Sequence, residues 1–285
     1  MAYTTLISTD ELASQRDDAW VLVDCRYDLR NPGSGREQYR VAHIPGAVYA
    51  GLSQDLVGSV GTIGGRHPIP TAEAMSATFG RLGIGRDTQV VMYDDDAGMF
   101  ASRMWWMLRY MGHGTAAVLD GGWGKWAREG RPQSAGEETQ EPASFIGQSR
   151  NEMRLDVSDV EARIGDPSTL LIDARVAERF EGGSEPIDRT PGHIPGAVNH
   201  FFRRNATDKG VMLSSNALRQ QFAKVIGDRP AGQVVMYCGS GVTACQNLLA
   251  MEHAGLSGAR LFPGSWSEWS SDPKRPVETG PERRR

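Results

Sequence analysis

The sequence predicts an α/β protein of two tandem domains, each a mainly parallel sheet flanked by helices. Three observations predict it. Four blocks of residues occur twice in the same order, a stretch of element-breaking residues divides the copies, and short apolar runs alternate with helical patterns within each copy.

The repeats come first. His43-Ile-Pro-Gly-Ala-Val48 recurs as His193-Ile-Pro-Gly-Ala-Val198, and Gln89-Val-Val-Met-Tyr93 recurs as Gln233-Val-Val-Met-Tyr237. Val21-Leu-Val-Asp-Cys-Arg26 is echoed by Leu170-Leu-Ile-Asp-Ala-Arg175, and Gly121-Gly-Trp-Gly-Lys-Trp126 by Gly264-Ser-Trp-Ser-Glu-Trp269. A period near 145 residues is too long for a solenoid, so each copy is expected to hold its own core. Between them, Glu129 to Asn151 is rich in Gly, Pro, Ser, Gln and Glu. The expected division is residues 1–135, a linker at 136–150, and residues 151–285.

Within the copies, Val21 to Val23, Val90 to Tyr93, Leu170 to Ile172 and Val234 to Tyr237 read as strands buried on both faces. Ala72 to Gly83, Arg103 to Met111, Asn216 to Ile226 and Thr243 to His253 read as helices. The last has Thr243 as a candidate N-cap and Gly255 at the position just past the C-cap. Ligands of such sheets collect beyond the C-terminal ends of the strands.

Composition narrows the function classes. The 285 residues are 39% apolar and 23% charged, with a formal net charge of −4, which gives no reason to expect nucleic acid or an anionic membrane as partner. The short basic clusters Arg203-Arg204 and Arg283 to Arg285 read as solvated surface. Met1 to Trp20 carries five charged residues and no apolar run of signal-peptide length, so a cytoplasmic protein is the default expectation. Three cysteines, Cys25, Cys238 and Cys245, are too few for a disulfide scaffold, and without a Cys-x-x-Cys or His-x-x-x-His pair no metal site is expected.

The copies differ where the chemistry is expected. After Gln-Val-Val-Met-Tyr the second copy continues Cys238-Gly239-Ser240-Gly241-Val242-Thr243-Ala244-Cys245, the first Asp94-Asp95-Asp96-Ala97-Gly98-Met99. A thiol stands in one copy where a carboxylate stands in the other. At a strand-to-helix turn, backbone N–H groups and the positive helix end favour a thiolate, and Gly239 and Gly241 let the loop curl with its amides inward. The competing reading of Cys238 is a buried structural thiol.

The segment Cys238 to Ala244 resembles the active loop of the rhodanese superfamily, and its Gly-Ser form resembles that of the 3-mercaptopyruvate sulfurtransferases. Asp24-Cys25-Arg26, Asp173-Ala174-Arg175, both His-Ile-Pro-Gly-Ala segments and Asp120-Gly-Gly-Trp123 extend the resemblance over nearly the whole chain. It implies ping-pong transfer, in which Cys238 takes sulfur from a small-molecule donor, holds it as a persulfide, and passes it to a thiol, thioredoxin or cyanide. No cofactor is implied, and the first copy would be inactive. The resemblance makes Ser240 a residue that holds the donor or assists proton transfer, against a loop hydroxyl that only satisfies amides. Arg179 matches the substrate arginine; Arg189 is a weaker second candidate, out of the register that the resemblance implies.

Other residues receive blander readings. His43 and His193 share one context and read as turn-capping, with a catalytic part for His43 left open; Cys245 reads as buried filler. Arg103, Trp105 and Trp106 read as packing at the domain interface. Thiosulfate as donor, and a non-enzymatic sulfur carrier, stay as alternatives. A cysteine phosphatase would need an arginine six residues after the thiol, where Ala244 stands. The uncharged loop favours 3-mercaptopyruvate over the thiosulfate dianion.

Overall fold

A computed structural model describes residues 2–61 and 65–282. Arg283 to Arg285, read above as solvated surface, lie outside these residues. The chain divides into two compact units. The first comprises Met1–Gly58, Pro70–Arg150 and Ala206–Met212, the second Ser59–Ile69, Asn151–Asn205 and Leu213–Arg285. The units therefore exchange two short segments and do not follow one contiguous cut.

In the first unit, β1 (Leu6–Ile7), β2 (Val21–Asp24), β3 (Ala47–Tyr49), β4 (Val90–Tyr93) and β5 (Ala116–Leu119) form a parallel sheet in the order β1-β5-β4-β2-β3. In the second, β6 (Leu170–Asp173), β7 (Val198–Asn199), β8 (Val234–Tyr237) and β9 (Arg260–Leu261) are parallel in the order β7-β6-β8-β9. Among the described residues the second sheet has no counterpart of β1, and a parallel bridge pairs Arg154 with Leu261. Every residue of β2, β4, β6 and β8 is buried, which is why these strands read as unbroken apolar runs.

Helices cover both sheets. Ala72–Arg81, Ala101–Tyr110, Ser215–Ile226 and Thr243–His253 lie within two residues of the expected spans. Gly255, with φ of +74°, sits just past the C-cap Ala254, as expected. Thr243, however, is the first helical residue, and the N-cap is Val242, whose side chain offers no acceptor. Tyr237, Phe262, Trp266 and Trp269 lie in the second core, their counterparts Tyr93, Leu119 and Trp126 in the first.

The duplication reaches further than the four sequence blocks. Trp126 Nε1 donates to Pro132 O at 2.8 Å, and Trp269 Nε1 to Pro276 O at 2.9 Å. The strap that follows then bridges the histidine of each repeat, Ser134 on His43 and Glu278 on His193. Each histidine donates Nδ1–H to a backbone carbonyl at 2.7 Å, Tyr39 O or Phe180 O, and stacks on that residue's ring. Both are structural by this geometry. Trp105 Nε1 donates to Thr4 O at 2.9 Å, Trp106 stacks on Tyr110, and the buried Arg103 donates to Leu56 O at 3.5 Å.

Candidate active site

The second unit places Cys238 at the C-terminal end of β8, where the chain turns into the helix Thr243–His253. Only 2% of Cys238 is exposed. The Gly241 N–H donates to its Sγ at 3.1 Å, and the Cys238 N–H donates to Ser265 Oγ at 3.1 Å. Ser265 in turn donates to Phe262 O at 2.9 Å and holds φ at 54°, a left-handed conformation rare outside glycine and common where function constrains the backbone. Trp266 N–H and Ser267 N–H pin the carbonyls of Cys238 and Gly239 at 2.9 Å each. The loop is thus held from β9's side while its sulfur faces an amide.

Of the two loop glycines, Gly241 takes the expected left-handed conformation and Gly239 does not. Gly241 takes φ of +74°, and a Cβ there would sit 2.4 Å from Pro263 O. Gly239 is not left-handed. Its role is clearance, because a Cβ at that position would lie 3.2 Å from Arg66 Nη2 and 3.6 Å from both terminal nitrogens of Arg179.

The turn after β4 shows how the same architecture receives an anion. Asp94 Oδ1 accepts from the Asp96 and Gly98 amides at 2.9 Å, and Oδ2 from Phe100 and Ala101 at 2.8 Å. Burial nevertheless pushes the Asp94 carboxyl up to about 6, the four N–H donors pulling the other way.

Two residues invisible to the sequence reading complete the site. His67 Nδ1 lies 2.7 Å from Ser240 Oγ, and Arg66 pairs with Asp188. Both come from the segment that the first half of the chain lends to the second unit. Gly65 makes the approach possible: at φ of +70°, a Cβ would sit 2.5 Å from Gly264 O and 2.4 Å from Ser267 Oγ. Arg66 N–H then donates to Ser267 Oγ at 3.1 Å. His67 could have been suspected, since it stands among Gly and Pro with no echo in the second copy, unlike the repeated His43 and His193.

Arg179 lies in the short helix Ala177–Phe180 and is 17% exposed. Its Nε donates to both Glu185 oxygens at 3.1 Å, and its Nη2 to Glu185 Oε1 at 2.7 Å and Asp188 Oδ2 at 3.3 Å. Glu185 also takes Arg175 Nη1 at 3.0 Å, and Arg175 grips Asp173 with two nitrogens. Burial would raise the Glu185 carboxyl, but the Arg179 hydrogen bonds hold it below the usual carboxylate range. For Asp188 burial outweighs Arg66 and raises it. Arg189 is exposed, lining with Arg66, Asp188 and Ser267 a cleft of about 330 Å³. Cys245 is buried, its Sγ donating to Gly241 O at 3.3 Å.

Comparison with known proteins identifies the family of the chain. The rhodanese-like domain family matches residues 8–129 and 156–272. The chain is 41% identical over 283 residues to a Pseudomonas aeruginosa protein named "Probable 3-mercaptopyruvate sulfurtransferase", covering 98% of this chain and all of that one. It is 34% identical to the thiosulfate sulfurtransferase of Gallus gallus, over 82% of this chain and 80% of that one. The solved 3-mercaptopyruvate sulfurtransferase of Leishmania major superposes with a TM-score of 0.84 at 30% identity, covering 94% of this chain and 74% of that one.

Proposed function

The chain belongs to the rhodanese family, and we propose that it is a sulfurtransferase moving sulfur from 3-mercaptopyruvate, through a Cys238 persulfide, to a thiol, thioredoxin or cyanide. The observation that carries this reading is the sulfur of Cys238 at a strand-to-helix turn, with the Gly241 N–H on it and the Ser240–His67 pair beside it. Asp94 supports it. A persulfide ends in an anionic atom two bonds from Cβ, as an aspartate does, and the first copy surrounds that anion with four amides.

In the first half-reaction the Cys238 thiolate forms an S–S bond to the donor sulfur while the donor C–S bond breaks. Its electron pair leaves on carbon as the enolate of pyruvate, which must take up a proton. Ser240 hydroxyl, backed by His67, stands where it can deliver that proton. An acceptor thiolate or cyanide then attacks the outer sulfur and frees the Cys238 thiolate.

The loop's own lack of charge does not leave the site uncharged, because Arg66 and Arg179 bring two guanidiniums to Gly239. They lie one residue beyond the nucleophile, which suits an anionic group a few bonds from the attacked sulfur, as the carboxylate of 3-mercaptopyruvate is. In thiosulfate the charged oxygens are on the adjacent atom. Arg179 is the donor-binding arginine of this reading, Arg189 a rim residue.

Among the described residues no helix is long and apolar enough to cross a membrane. A thiol that must stay reduced fits the cytoplasm. The test is mass spectrometry after donor treatment: the peptide bearing Cys238 gains one sulfur, about 32 Da, the addition that covalent transfer to a thiolate demands. Loss of that adduct in wild-type protein removes the reading. Higher kcat/KM with thiosulfate than with 3-mercaptopyruvate would replace the donor.

A further inference from the structure

We propose that Arg66 is a specificity-determining residue that, with Arg179, clamps the donor carboxylate above Gly239, and that Asp188 is the positioning residue that ties the two guanidiniums together. The inference rests on the sulfurtransferase reading and assigns its substrate recognition to a residue outside the loop and outside the second repeat.

Three observations converge. First, both guanidiniums face the same glycine: Arg66 Nη2 lies 3.2 Å, and Arg179 Nη1 and Nη2 3.6 Å, from where a Gly239 Cβ would be. A side chain at 239 would occupy the space into which these nitrogens point, so the glycine keeps it open. Second, two like charges do not converge without a counter-ion. Asp188 supplies it with one carboxylate, Oδ1 to Arg66 Nη1 and Oδ2 to Arg179 Nη2 at 3.3 Å. Arg66 Nη2 and Arg179 Nη1, which bond neither Asp188 nor Glu185, both lie near Gly239, Arg179 Nη1 at the same 3.6 Å as the Nη2 that does bond them. Third, Arg66 is fixed by its backbone, not only by its ion pair. Its N–H donates to Ser267 Oγ, Ser267 N–H donates to Gly239 O, and Gly65 allows that contact.

The geometry also separates Arg66 from Arg189. Arg189 neighbours Asp188 in sequence and lines the same cleft, but it is exposed, whereas Arg66 reaches the loop. A forked cation matters because a carboxylate offers two oxygens in one plane.

Steady-state kinetics of the full chain with 3-mercaptopyruvate, and with 1-mercaptopropan-2-one, which lacks the carboxylate, tests the proposal. In Arg66→Gln the KM for 3-mercaptopyruvate should rise on the order of 10- to 100-fold, the loss of a charge-assisted contact, with kcat within about threefold. The kcat/KM for the carboxylate-free donor should not change. Arg66→Lys should recover part of the KM, since charge remains while the fork is lost. An unchanged KM, or an equal fall with both donors, overturns the proposal, the latter by making Arg66 a mere support of the loop. Wild-type protein that forms no Cys238 persulfide from either donor would instead remove the sulfurtransferase reading beneath it.

Discussion

On the sulfurtransferase reading proposed above, Ser240 and His67 would divide the two donors by a proton. The enolate that leaves 3-mercaptopyruvate must be protonated, whereas sulfite leaves thiosulfate with its charge and needs none. A hydroxyl 2.7 Å from an imidazole nitrogen would serve the first reaction as proton donor and be idle in the second. Ser240→Ala should therefore slow persulfide formation from 3-mercaptopyruvate by about 100-fold, at the lower end of general-acid effects, and leave thiosulfate within about threefold. Rapid-quench measurement of the Cys238 adduct decides it, and a parallel loss with both donors would reduce Ser240 to a loop-stiffening residue. Cys245 makes the contrast at the thiol itself. Its Sγ–H is engaged with Gly241 O inside the helix, so Cys245→Ser should keep most of the transfer while Cys238→Ser abolishes it. A dead Cys245 variant would reassign the nucleophile.

At the level of elements, the strand-to-helix turn explains what could be read from the chain and what could not. The nucleophile was legible because it follows an exact repeat, Gln-Val-Val-Met-Tyr, with a thiol in one copy and a carboxylate in the other. Its partners were not. Arg66 and His67 lie 172 and 171 residues before Cys238, in a segment that belongs by sequence to the first copy and by packing to the second unit. No local pattern encodes such an exchange; Gly65, which permits the contact, looks like any loop glycine until Gly264 O is seen beneath it. Ser265 is hidden for a similar reason, since its left-handed φ is written as serine where the first copy has Gly122 at φ of +53°. The Asp94 turn yields its own prediction. An amide in place of the carboxylate would keep one oxygen for two of the four N–H donors and turn an NH₂ toward the other two. Asp94→Asn should cost the first unit about 2 kcal/mol or more, the price of buried donors left without an acceptor. It should lower the thermal midpoint without changing persulfide loading of the folded protein. An unchanged midpoint would mean that the cradle contributes nothing to stability.

Across the whole molecule, the duplicated scaffold was legible from blocks of identical residues, because parallel strands buried on both faces tolerate little besides Val, Ile, Leu and Met. The straps were not, being spelled with the Gly, Pro and Glu of a linker although each is fastened to its own tryptophan and histidine. Several histidines lie buried in the fold and contribute to its response to acid. Burial lowers His113, His193 and His200 below the ordinary histidine range; each spends a ring nitrogen on an internal acceptor, Thr88 O, Phe180 O and Asn205 Oδ1. Below about pH 6.5 the unfolded chain binds protons that the folded chain refuses, so stability is present above that pH and is lost as pH falls. Asp94, raised to about 6, works in the opposite sense, because the folded chain takes up its proton first. The Asp24, Asp55, Asp95 and Asp188 carboxyls, also raised by burial, act in the same sense as Asp94. Between pH 7 and pH 6, His200→Gln should lose less, or gain more, in thermal midpoint than the wild type, because one of the three rings is removed. The same pH dependence in the variant and the wild type would show that the His200 ring is protonated inside the fold.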